Sequence, residues 1–212
     1  SKYPDLAKMT ENTEFSWCTE IPDVHKEKDF EYKLDLQYVR CVWAAIQKLP
    51  KSERSPVENF IKQSLSQRNV AWVVRLKLYY KYTNEQIKKR LLSISENPTE
   101  NDPIAGDAIK VLDLPVDSWA DWKQSVYSDC LNPYLGSDDW TVDPRWLQQA
   151  MSKKNNALAL KTFRQYPFTA NVLVTWFKMK QFELDCIRTA AEGLRLNVSS
   201  SEIKKIAGFE QL

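Results

Sequence analysis

Five charged side chains interrupt otherwise apolar helical runs in this 212-residue chain. Arg75 and Lys77 break up WVVRLKLYY, and Asp185, Arg188 and Glu192 break up a longer run at i, i+3 and i+7. Charges at that spacing share one face of a helix, where opposite signs pair for ~0.2–0.5 kcal/mol each. Such a strip has two uses. Asp185–Arg188 and Arg188–Glu192 form an internal row of ion pairs, or the strip lines a concave face that receives a partner helix. Both uses are mechanical.

Bond-making chemistry lacks its usual parts. His25 is the one histidine, and nothing near it completes a Ser-His-Asp or Cys-His set. The chain contains no HExxH pair, no CxxC pair and no Gly-rich phosphate loop. Asp138, Asp139 and Asp143 offer carboxylates to a divalent cation, but Asp143 precedes Pro144 and a helical pattern, where a carboxylate serves as the cap. We therefore expect no catalytic residue, metal, cofactor or small-molecule substrate, and no enzyme. Of the eight tryptophans, Trp43, Trp72, Trp146 and Trp176 fall on helix stripes, which places them in the core rather than in a ligand cage. Cys18, Cys41, Cys130 and Cys186 have no short spacing, the pattern of free thiols in a reducing compartment.

The elements that must position the five charges are helices. Four glycines, ten prolines and 43% hydrophobic residues suit long helices with sharp ends, an all-α fold. The expected organising element is Thr169 to Gly208. Val172, Trp176, Met179, Leu184, Ile187, Ala191 and Leu194 form its apolar stripe, Thr169 caps it, and Asn197 stops it. Ser199 and Glu202 then open a short helix as a capping box. Arg68 to Leu92 repeats the pattern. Thr83/Ser199, Ile87/Ile203 and Lys88-Lys89/Lys204-Lys205 all stand 116 residues apart. An amphipathic helix precedes each copy, over 29–49 and 143–165, and Ser55-Pro56-Val57-Glu58 predicts the start of the first long helix.

The chain thus divides into an irregular arm (1–28), a first helical unit (29–94), a connector with short helices (95–142) and a second unit (143–212). In the arm, Phe15, Trp17 and Ile21 are expected to pin an irregular segment to the body. Net charge is +2, but Glu96 to Asp143 holds eleven acidic residues against Lys110 and Lys123, a net −9 that leaves +11 elsewhere. That asymmetry favours an oriented contact with a charged partner over nucleic-acid binding, although a solvated acidic connector has the same composition. No apolar run reaches the roughly 20 residues of a spanning helix. No leader pattern opens the chain, and Ser1 in place of Met points to a trimmed or internal piece.

WVVRLKLYYKYTNEQIKKRLL and DCIRTAAEGLRLNVSSSEIKKIA resemble the repeated helix pairs of the V-type/A-type rotary ATPase component called C in prokaryotes and d in eukaryotes. Arg75, Lys77, Thr83, Glu85 and Ile87 carry the likeness in the first copy. Glu192, Gly193, Arg195, Ser199, Glu202 and Ile203 carry it in the second, and Phe30 to Val39 looks like the helix that opens a unit. Lys81 and Asn197 stand where that family has glycine, and two units are found where it carries three. The resemblance implies a funnel-like helical fold and a non-catalytic central-stalk subunit. Such a subunit is peripheral on the cytoplasmic side of a membrane, a socket between the rotor shaft subunits and the proteolipid ring in proton or sodium transport. Arg75, Lys77, Asp185, Arg188 and Glu192 are the candidate partner-binding residues. The competing reading is an α-helical repeat adaptor that binds a partner helix or peptide.

Overall fold

The computed structural model describes residues 5–18, 27–136 and 139–207, and among these no strand occurs. The helices are α1 (Leu6–Thr10), α2 (Glu27–Gln47), α3 (Lys51–Tyr80), α4 (Asn84–Lys88) and α5 (Gly106–Lys110). They are followed by α6 (Trp119–Gln124), α7 (Pro144–Gln165), α8 (Ala170–Arg195) and α9 (Ser200–Ala207), with a 3₁₀ turn at Ser128–Cys130. The fold is all-α, as the composition and capping patterns imply.

α3 takes the central place expected for the later long helix. It packs on α2, α5, α7 and α8. Twelve of its thirty residues are buried, against Asn171, Thr175 and Cys186 alone on α8. The stripe assigned to the core of α8 lies largely outside: Trp176, Leu184, Ile187, Ala191 and Leu194 are exposed. A helical period reports that one face is apolar, and only neighbouring elements decide whether that face is covered.

α3 also begins before Ser55-Pro56. Pro50 accepts the Glu53 and Arg54 amides, 2.9 Å each, which builds a first turn ahead of Pro56. The Arg54 guanidinium then bonds the carbonyls of Gln47 and Leu49 at the end of α2. These contacts offset the single helix bond that Pro56 removes, so the proline sits buried inside the helix.

The acidic connector is a packing element. Ala105, Ala108, Val111, Leu112, Trp122 and Trp140 join Val70, Val73, Val74 and Leu76 of α3 in one core cluster. Its helices are short, and α6 ends where Ser125 is extended (ψ 160°) and leaves Val126 exposed. Trp122 and Trp140 can bury because each indole N–H finds a carbonyl, Pro115 at 2.9 Å and Asn132 at 3.3 Å. Trp72, Trp146 and Trp176, expected in the core, are instead partly exposed on helix surfaces, and Trp43 packs at the edge of a small cluster with Val39, Leu92 and Ile104. In the arm, Trp17 meets Phe30 edge-on at 5.6 Å and lies under the Lys33 ammonium at 3.9 Å, while Ile21 falls outside the described residues.

Each long helix ends alike. Lys81 (φ 54°) and Asn197 (φ 56°) are left-handed without being glycine. The Thr83 hydroxyl then accepts the Gln86 amide, and the Ser199 hydroxyl accepts the Glu202 amide, both at 3.3 Å. Ile87 and Ile203 are buried on the short helices that follow. Gly193 of α8 makes room for Ile203: a Cβ there would lie 2.6 Å from its side chain.

Candidate functional site

α7 and α8 form a helical hairpin that closes on α3, and a groove of about 440 Å³ opens where the three meet. Arg75 reaches it from α3, Arg145 and Lys153 from α7, and Phe182, Asp185 and Arg188 from α8. Three of the five sequence candidates, Arg75, Asp185 and Arg188, are therefore brought together although 113 residues of chain separate Arg75 from Arg188.

The other two go elsewhere. The Lys77 ammonium bonds the carbonyls of Leu112 and Leu114, which staples α3 to the turn after α5. Burial pushes its pKa below the usual lysine value, and nearby Asp113 opposes that shift. Glu192 is held by Arg195 through two hydrogen bonds, which also lower its pKa, so it does not extend an ion-pair row from Arg188. The planar guanidinium three residues on grips the carboxylate through Nε and one Nη, a geometry a single contact from Arg188 does not match.

Arg188 and Asp185 do pair, at 3.7 Å, with side chains 77% and 72% exposed. This is a surface pair, worth at most about 1 kcal/mol, rather than a buried one. Deeper in the groove the Arg75 Nε is buried and meets no acceptor among the described residues. Arg145 shares its charge with Asp143, the α7 cap, at 3.4 Å. The groove thus presents four cations and one carboxylate.

Arg145 and Lys153 are the functional candidates that the sequence reading passes over. Their signal was present: Arg145, Gln148, Gln149, Ser152 and Lys153 follow i, i+3, i+4, i+7 and i+8, a continuous polar stripe on α7. Attention to apolar periodicity alone hides it. Asp143 serves as the expected cap, accepting the Arg145 amide at 2.8 Å. Among the described residues no three metal-binding side chains gather, and His25 and Asp138 lie outside those residues. The four cysteines are free thiols, three of them buried. No helix among the described residues is long and apolar enough to cross a membrane.

An uncharacterized protein of Treponema pallidum (strain Nichols) is 24% identical over 198 residues, covering 90% of this chain and 56% of its own length. The chain therefore spans little more than half of that relative. No solved structure matches. Residues 2–206 match the family described as ATP synthase (C/AC39) subunit. The chain belongs to that family, whose members are non-catalytic components of V-type and A-type rotary ATPases.

Proposed function

We propose that this chain is a central-stalk subunit of a rotary ATPase, a socket that couples the rotor shaft to the membrane proteolipid ring and performs no bond chemistry itself. It acts at the cytoplasmic face of the membrane as a peripheral component. Residues 29–94 and 143–212 serve as two equivalent helical units of the socket, with 95–142 packed between them. The partner-facing strip comprises Arg75, Asp185 and Arg188, joined by Arg145 and Lys153.

The observation that carries this reading is the exposure of the Asp185–Arg188 pair at the mouth of a groove it shares with Arg75. Charges retained to bind each other inside a fold are taken out of water, and these are not. A surface strip open to solvent beside a half-buried guanidinium is suited to a second molecule.

The test is Arg188→Glu in the assembled complex. Because Arg188 is exposed, its replacement leaves the stability of the isolated protein within the range of ordinary surface changes, about ±0.5 kcal/mol. Shaft subunits should copurify less with the variant than with the wild type, while ring subunits remain. Unchanged shaft recovery with Arg188→Glu removes the groove from the shaft contact. Recovery of soluble partners only, with neither shaft nor ring, favours the adaptor reading.

A further inference from the structure

Where the α7–α8 hairpin closes on α3, an apolar contact is interrupted by three polar side chains, one from each helix. Gln67 of α3 is 7% exposed, and its Oε1 meets no donor among the described residues. Asn155 of α7 buries its Oδ1, likewise without a donor among them. Lys178 of α8 is half-buried, and its ammonium has no hydrogen-bond acceptor or carboxylate partner among the described residues. Two acceptors lack donors, and a donor lacks acceptors.

Contacts at either end set the three on one level. The Asn171 side-chain amide of α8 donates to the Thr162 carbonyl of α7 at 3.1 Å. Asn155 lies seven residues before Thr162 and Lys178 seven after Asn171, so antiparallel pairing sets them abreast, about two turns from that bond. That spacing also puts them on the faces of Thr162 and Asn171, which are 8% and 0% exposed. α3 runs alongside α8 in the same direction. Glu53 meets the Ala170 amide near one end, and Arg75 joins Asp185 and Arg188 near the other, with Gln67 between. On either side of this level the contact is apolar, through Phe60, Ala159 and Val174 toward the tip and Val74, Leu147 and Met151 toward the groove.

Burial pushes the Lys178 pKa below the usual lysine value, and the Arg68 guanidinium adds to that shift. Asp35 of α2 pairs with Arg68 at 2.5 Å rather than with Lys178. The lysine is thus drawn out of water with no carboxylate to answer it. Its three N–H donors, on a flexible four-carbon stem, complement what Gln67 and Asn155 lack. We infer that Lys178, Gln67 and Asn155 form one polar layer, the lysine donating to both amide oxygens, and that this layer locks the axial register of the α7–α8 hairpin on α3. The inference goes beyond the socket reading and does not depend on it. Apolar contacts are non-directional, so a hairpin shifted along α3 by one turn recovers much of them. A polar layer costs stability relative to apolar packing and specifies one alignment, because any slip leaves its members unpaired. Lys178 is therefore a positioning residue, and what it positions is one of the two proposed units against the other.

The test is a set of substitutions in the full chain, read by urea denaturation and by amide NMR. Lys178→Met should lower the folding equilibrium constant about tenfold, because it strands both oxygens. Adding Gln67→Met and Asn155→Leu should restore the constant at least to the wild-type value, since apolar side chains of similar size then fill the level. The restored protein should nonetheless be less uniquely aligned. Amides of α8 that give one set of resonances in the wild type should broaden or double in the triple variant, while those of α5, on the other side of α3, stay single. Losses that simply add, with no recovery in the triple variant, show that the three side chains do not meet and overturn the proposal. Full recovery with one sharp set of α8 resonances leaves the layer without a role in register and also overturns it. If Lys178→Met alone does not fold, that is the expected loss in its extreme form, and the triple variant still reads the recovery. A triple variant that stays unfolded overturns the layer.

Discussion

The two long helices end in nearly identical local structures and enter different surroundings. After α3 and after α8 the chain turns through a left-handed residue, 116 positions apart, and restarts on a hydroxyl cap. Halfway along each helix the likeness stops. Asn69 of α3 is 1% exposed, and its amide donates to the carbonyls of Leu92 (2.8 Å) and Ile104 (3.2 Å) while accepting the Leu92 amide at 3.0 Å. Asp185, 116 residues later, stands in solvent beside Arg188. The first helix is clasped by the loop over 91–105, and among the described residues no loop clasps the second at Asp185. Short-range chemistry repeats because caps and left-handed turns need only their own few residues. Burial does not repeat, because it depends on what arrives from far along the chain.

The largest expected effect follows from that contrast. Asn69→Ala strands the Leu92 amide and uncovers two carbonyls inside the protein, where a buried polar group left without a partner costs about 1–3 kcal/mol. Allowing for partial relaxation, the variant should lose about 3 kcal/mol in urea denaturation. Asp185→Ala should change stability by no more than about 0.5 kcal/mol. Comparable losses at the two positions would erase the distinction between a clasped helix and an open one.

How much of this was legible in the sequence divides along the same line. The short-range features could be read directly: the Thr83 and Ser199 caps, the Asp143-Pro144 start of α7 and the stop at Asn197 involve residues within four of one another. So could the absence of strands among the described residues, since no alternating pattern competes. The burial of α3 and the exposure of α8 could not, because Val57 and Leu173 look equivalent in their own helices yet are 2% and 65% exposed. The start of α3 was misplaced for a related reason: Arg54 reaches back to the end of α2 and stabilises a turn ahead of Pro56. Of the site, the charges themselves were visible. Their grouping was not, because a groove made by three helices places Arg145 and Lys153 opposite Arg188 only after α7 and α8 have folded onto α3.

The clasp itself can be loosened with acid. Asp102 holds the loop over 91–105 by accepting the amides of Ile94, Ser95, Ile104 and Ala105 and the Ser95 hydroxyl, at 2.8–3.2 Å. Burial alone would raise its pKa, but the hydrogen bonds from Ala105, Ser95 and Ile104 outweigh it and hold the carboxyl below its ordinary value. A depressed carboxylate contributes stability that is fully present above the unfolded pKa, near ~3.9, and is lost as pH falls through the folded value. Asp102→Asn replaces one acceptor oxygen by a donor facing amides, and should cost about 2 kcal/mol at pH 7. It should also flatten the fall in urea midpoint between neutral pH and pH 2. Parallel pH profiles for wild type and variant would remove Asp102 from the clasp.

The smallest effect probes a polar contact by which the clasped helix orders the start of the open one. The Ala170 amide at the α8 N-terminus donates to Glu53 Oε2 of α3 at 2.9 Å, across 117 residues of sequence. Thr169, in the N-cap position, turns its hydroxyl to the Tyr166 carbonyl at 2.8 Å and makes no side-chain cap bond. A carboxylate at a helix N-terminus satisfies an unpaired amide and meets the positive end of the helix dipole. Glu53→Ala should therefore cost about 1 kcal/mol, the usual worth of a cap, and Thr169→Ala clearly less. The two helices should also respond differently. Amides in the first turn of α8 should exchange faster in Glu53→Ala, while those in the middle of α3, held by the core cluster around Val70, Val73 and Val74, keep their protection. A larger loss from Thr169→Ala than from Glu53→Ala would return the cap to the local residue. The start of α8 would then depend on its own turn, as its end does.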